Sequence, residues 1–170
     1  RGGGGRVGVV TRFTFRLHPV GPEVVTAQAW HPIDDAGSVL RSYRAAMESA
    51  TDDLAVYAAI MRVPPIEPFP TELHGTVALT LGACHTGPTE RARAEAGEIA
   101  ALGRPFLKDV RPIAYVEQQR GLDAATPDGA RYYYKTHVLP DLTDAAIDAL
   151  LEGLGDLPGP LTIIGIEPLG

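Results

Sequence analysis

One cysteine in 170 residues, Cys84, excludes an internal disulfide framework, and no group of Cys and His residues has metal-ligand spacing. Basic side chains are the minority, 15 against 21 acidic, and the net charge of -6 with a pI near 5.3 argues against a polyanion-binding footprint. Nucleic acid and anionic membrane are therefore not expected partners. No apolar run approaches the roughly 20 residues that a bilayer span needs. No basic-then-apolar leader is read in the sequence, and nothing in it separates a cytoplasmic from a secreted setting. Hydrophobic residues at 45%, charged residues at 21% and a mean hydropathy of +0.00 are the composition of a soluble globular chain with room for one ordinary core.

What is plentiful is glycine, 19 residues, and proline, 15. The chain starts Arg1-Gly2-Gly3-Gly4-Gly5 with no initiator methionine, an opening expected of a piece of a longer polypeptide. Glycine-rich backbone is costly to order and is placed where the chain bends sharply or approaches something closely. The block is not a P-loop, since no Gly-Lys-Ser/Thr follows, nor a dinucleotide fingerprint, since a strand pattern follows rather than a helix. Its residues alone fit a flexible loop and a backbone that contacts a flat or anionic ligand equally well.

Val7 to Leu17 passes from a continuous apolar run to strict alternation and predicts a strand with Phe13, Phe15 and Leu17 on one face. His18-Pro19-Val20-Gly21-Pro22 breaks it and marks a boundary. Beyond it, strand, helix and strand patterns recur about three times. The first unit is a strand over 24–30, a helix capped by Asp34 or Asp35, and a strand over 54–63 apolar enough to be covered on both faces. The second is a strand over 76–84, a helix opened by Pro88 with Ala92, Ala96 and Ile99 inward, and a strand over 109–118 ending in a helical turn. The third is a strand over 131–138, a helix capped by Thr143 with Ile147 inward, and a strand over 161–167. The fold class predicted is α+β: a largely antiparallel sheet with helices on one face, built from repeated strand-helix-strand units. Proline-rich 64–70 reads as a stiff connection between two strands.

The densest chemistry is Tyr132-Tyr133-Tyr134-Lys135-Thr136-His137. On a strand, Tyr132 and Tyr134 share one face, and Tyr133, Lys135 and His137 the other. Phenols serve as bases or bind substrate hydroxyls, and a neighbouring Lys favours the phenolate. The competing reading is one face in the core and one in solvent. Cys84 sits in an apolar strand and reads as a small core residue, and His18, His31, His74, His85 and His137 show no ligand pattern.

The opening run Arg1 to Thr11, with Phe13 to Pro22, resembles the end of the flavin domain of berberine bridge enzyme-like FAD-linked oxidases, which have the vanillyl-alcohol oxidase (PCMH-type) fold. Arg6 and Val7 stand where that family has Asn-Phe. Asp34-Asp35-Ala36, Tyr115 to Gln118, Arg131 to Lys135, Leu142 to Ile147 and Ile166 to Gly170 are similar, in order, to the family's substrate-binding domain.

The resemblance implies that residues 1–20 are the last strand of a FAD-binding domain and 21–170 a substrate-binding domain truncated on its C-terminal side. It implies FAD held in part by Gly4, Gly5, Gly8, Val9, Val10 and Thr11, with an upstream FAD-binding domain of the same chain as partner. It implies Gln118, Lys135 and His137 as substrate-binding groups and Tyr132, Tyr134 and Glu167 as catalytic ones. From the residues themselves, a surface carboxylate at a strand end is the slightly better reading of Glu167. The parent enzyme would oxidise a small-molecule alcohol, sugar or amine by hydride transfer to flavin with oxygen as acceptor, while this piece alone would neither retain FAD nor turn over. A non-catalytic α+β module for ligand binding or dimerisation is the other expectation.

Overall fold

The computed structural model describes residues 5, 8–123, 126, 128–155 and 157–168. Five strands and four α-helices are found among them: β1 (Glu23–Pro32), α1 (Ala36–Met47), β2 (Leu54–Arg62), β3 (Val77–His85), α2 (Thr89–Ala100), β4 (Leu107–Ala114), α3 (Tyr115–Gln119), α4 (Asp144–Glu152) and β5 (Ile164–Ile166). The sheet order is β4-β1-β3-β2-β5, and every neighbouring pair is antiparallel. Residues 23–114 thus form a ferredoxin-like split βαβ pair with strand order 4-1-3-2, and β5 is added at the β2 edge. The α+β class and the helices on one face are as the pattern predicts.

Alternation in the strands decides which face the helices cover. Val25, Ala27 and Ala29 of β1, Val56, Ala58 and Ile60 of β2, and Leu79, Leu81 and Ala83 of β3 form one buried surface. Onto it α1 sets Ala36, Val39, Leu40 and Tyr43, and α2 sets Ala92, Ala96, Ile99 and Ala100. The helix α4 lies against α1, with Ile147 fully buried and Arg41 and Arg44 of α1 paired to Asp144. A hydrogen bond from Arg44 is the main reason the Asp144 carboxyl titrates below its ordinary range.

Helix starts differ in a way that backbone angles explain. Thr143 is extended (φ -66, ψ 161), and its Oγ1 accepts from the Ala146 amide at 3.2 Å, an N-cap as predicted. The predicted Asp34 or Asp35 cap is not made. Residues 33–35 form a 3-10 turn, and Asp35 is itself helical (φ -88, ψ -7), which points its carboxylate away from the amides of the first turn.

Four strand expectations are corrected. Residues 8–21 and 131–138 are exposed and form no strand, since none of the described strands pairs with them. Alternation persists locally: the Phe13 and Phe15 rings stack at 5.6 Å. The last strand is confined to Ile164–Ile166 because Pro158-Gly159-Pro160 keeps the chain turning through Leu161. Nor is β2 covered on both faces: Ala55 is exposed and Tyr57 is 37% exposed on the side away from the helices.

Among the described residues, that second face is capped at one end. The 64–70 connection folds over it, and Phe69 meets Trp30 edge-on at 4.8 Å, closing a small second core with Val63 and Ala78.

Truncating Ile147 to Ala is expected to cost about 2–5 kcal/mol, read by chemical denaturation, since α4 has no other fully buried side chain. A second expectation concerns His31, fully buried on the helix side with no hydrogen bond to either ring nitrogen. Burial holds its pKa below 6.5, with the Asp35 charge pulling the other way. The unfolded chain therefore protonates first, so the stability tied to neutral His31 is full above pH 6.5 and is lost as pH falls below it, towards the folded pKa. Denaturation midpoints between pH 7 and 5 should fall more steeply in the wild type than in His31→Leu.

Candidate functional site

Beyond the Trp30 cap, the uncovered face of the sheet holds a groove of about 200 Å³. Register builds its floor. Tyr57 of β2, Gly82 of β3, Gln28 of β1 and Asp109 of β4 stand opposite one another in a row across four strands. The adjacent row carries Ala55, Cys84, Thr26 and Arg111. One wall comes from α3, where the chain turns off β4 and presents Glu117 and Gln118, and Gly121 closes that side. Tying α3 to the sheet, the Tyr115 amide donates to the Pro22 carbonyl at 2.9 Å.

The groove is polar and nearly neutral. Arg111 pairs with Asp109 at 3.2 Å, both more than half exposed, so the pair contributes little to stability and leaves both groups free to reorganise. Thr26 donates to the Arg111 carbonyl at 3.4 Å. The uncharged donors and acceptors are Thr26, Gln28, Tyr57 and Gln118. Ligand pockets run to about 300–1,000 Å³, so this groove is an open floor with one wall rather than an enclosure.

Of the residues singled out from sequence, Gln118 lines this groove. Tyr132, Tyr134, Lys135 and His137 do not: they lie along the ladder-less run, with Tyr132 47% and Tyr134 76% exposed. The Tyr132 and Tyr134 rings are 6.4 Å apart, and Lys135 Nζ stands 5.9 Å from the centre of the Tyr133 ring. Gly5, Gly8, Val9, Val10 and Thr11 are exposed in the leading segment, and Gly4 lies outside the described residues. Glu167 follows β5, and its charge acts on Tyr43 of α1, on the helix side. Burial first and Glu167 second push the Tyr43 phenol up to about 12.

Sequence patterns left Thr26, Gln28, Tyr57, Asp109 and Arg111 unmarked. The signal was present in the polar residues at alternate positions of β1 and β4, and in a glycine at the centre of β3, which marks close approach.

A second titratable cluster stands at the far corner, where β2 and β3 meet α2. The Gly87 amide donates to His85 Nδ1 at 2.9 Å, which leaves the proton on Nε2, and Nε2 donates to Glu95 Oε2 at 2.9 Å. Thr51 donates to the same oxygen at 2.9 Å, and Arg91 pairs with Asp53. The Thr51 hydroxyl first and His85 next hold the Glu95 carboxyl below its ordinary range. His85 is fully buried, and a side chain at Gly87 would meet Arg91, His85 and Asp53 within 3 Å. This corner is a brace with its hydrogen bonds made internally. Among the described residues no group of His, Cys, Asp and Glu is arranged to hold a metal, and no helix is long and apolar enough to cross a membrane.

No family model matches the chain. It is similar to a FAD-linked oxidoreductase of Dictyostelium discoideum, 27% identical over 176 aligned positions that take in 100% of this chain and 35% of that protein. The chain thus spans about a third of the length of this curated relative.

Replacing Glu95 by Ala should cost about 1–3 kcal/mol in chemical denaturation, because it strands the buried His85 Nε2–H without an acceptor.

Proposed function

We propose that this chain is the substrate-binding part of a FAD-dependent oxidoreductase, and that the uncovered face of its sheet is the wall turned towards the reacting substrate. The observation that carries this reading is the polar groove on the sheet face that the helices leave uncovered, in a chain similar along its whole length to a FAD-linked oxidoreductase. A berberine bridge enzyme-like relationship is the finer form of the same reading.

The residues are compatible with FAD as a neighbour. Gly5 and Gly8 adopt φ of +74 and +125, and nothing lies within 4 Å of where a Cβ would be. Such backbone has open space where a side chain would stand and admits close approach of a flat ring system or a phosphate. Gly8 to Thr11 would meet the cofactor there, with the rest of its site supplied by an upstream domain. When bound, flavin supplies the redox chemistry by accepting a hydride.

This chain's own residues bind and orient. Thr26, Gln28 and Gln118 offer hydroxyl and amide groups to substrate hydroxyls, and the Tyr57 hydroxyl is placed to hold or relay a proton at the same groove. With Asp109 and Glu117 set against Arg111, the lining favours a neutral, hydroxyl-rich substrate, an alcohol or sugar, over an anion. Oxygen is the acceptor in this reading. Glu167 and the Tyr132 to His137 run remain candidates only if a neighbouring domain draws them to the groove.

The full reading frame should purify as a flavoprotein, while the 170-residue chain should bind no FAD tightly and show no turnover. Gln28→Ala and Gln118→Ala in the full-length enzyme should each lower kcat/KM roughly tenfold with unchanged unfolding midpoints. Stoichiometric FAD binding by the short chain would contradict the division of labour. A colourless full-length protein that could not be reconstituted with flavin would favour a non-catalytic ligand-binding or dimerisation module.

A further inference from the structure

Gly82 lies in the middle of β3, where a residue without a side chain weakens the strand. It belongs to the uncovered face, yet it is buried. What buries it is the ring of Tyr57, its cross-strand partner in β2. A Cβ at position 82 would stand 2.3 Å from Tyr57 Cζ, 2.4 Å from Cε1 and 2.5 Å from the hydroxyl oxygen. No real Cβ sits that close to another atom, so the phenol occupies the space that any other residue at position 82 would fill. Neighbouring strands are about 4.8 Å apart, so a tyrosine rooted in β2 with its hydroxyl over β3 lies across the sheet. It extends along the row that continues to Gln28 and Asp109. The ring face left uncovered, with the residue 37% exposed, forms part of the groove floor.

We infer that Gly82 is the positioning and specificity-determining residue of this groove, acting through Tyr57: by having no side chain it lets the phenol lie flat, which makes a platform for a ring-shaped, hydroxyl-bearing ligand and delivers the hydroxyl to the centre of the row. This rests on the groove being the substrate site. The colliding atoms are the far end of a flexible side chain rather than backbone, so Gly82→Ala displaces the ring and leaves the strand pairing intact. A displaced ring stands up into the groove and occludes it. Position 82 therefore sets the depth of the site without touching the ligand.

The 170-residue chain labelled with 3-fluorotyrosine tests this by fluorine NMR, with the Tyr57 signal assigned through Tyr57→Phe and glucose as the probe ligand. In the wild type the Tyr57 signal is expected to stand apart from those of exposed Tyr132, Tyr133 and Tyr134, and to shift on glucose titration. Gly82→Ala should move it towards the exposed group, keep the unfolding midpoint, and raise the half-saturating glucose concentration roughly tenfold. In a Tyr57→Ala background, adding Gly82→Ala should change nothing further, because the two act as one unit. An unmoved Tyr57 signal in Gly82→Ala overturns the positioning claim. A moved signal with an unchanged glucose response overturns the claim on specificity. A signal that responds to Gly82→Ala while no wild-type signal responds to glucose leaves the packing in place and sinks the substrate-groove reading instead.

Discussion

The seating of two helices on an alanine-floored face of the sheet is the contact on which the other features depend. Ala27, Ala29, Ala58 and Ala83 lie on the strand side, and Ala36, Ala92, Ala96 and Ala100 on the helix side, so backbones approach closely. Leu40, Ile60, Leu79 and Leu81 fill what space remains and are fully or almost fully buried. Burying one such side chain is worth about 1.5–3 kcal/mol, and close packing adds the dispersion contacts that a looser helix would forfeit. An antiparallel sheet tolerates water on its other face, so the molecule is stabilised from one side and has the second available.

That second face is treated in two ways. Around Trp30 it is sealed by the proline-rich connection, whose stiff backbone brings Phe69 down onto the indole. Further along, the same alternation that puts Val25 and Val110 inward turns Thr26, Asp109 and Arg111 outward, and polar side chains from three different segments meet in one groove. A floor made from strands holds functional groups more rigidly than a loop does, and α3, tied to Pro22 through Tyr115, adds a wall.

The two segments without a ladder leave apolar side chains in solvent. Val9, Phe13, Phe15 and Leu17 are exposed in one, and Tyr134 and Val138, which share a face in a strand pattern, in the other.

Periodicity alone was enough for the elements whose stability is local or self-contained. The alternation of β1 and β3, the narrow alanine stripe of α2 and the Thr143 cap of α4 are all readable because side-chain period and capping chemistry are properties of neighbouring residues. Residues 8–17 and 131–138 carry strand patterns just as clear, and form no strand, because a ladder needs a second chain segment that periodicity does not specify. The site divides along the same line. Gln118 could be picked out through resemblance, whereas Tyr57, Gln28 and Arg111 sit on three strands far apart in sequence and become a group only through register. The amino-acid order determined the helix-covered face, the antiparallel α+β class and the glycine at the centre of β3. Only the tertiary structure decided that this glycine faces Tyr57 and that the polar row around it is open, because cross-strand neighbours are chosen by pairing and packing rather than by proximity along the chain.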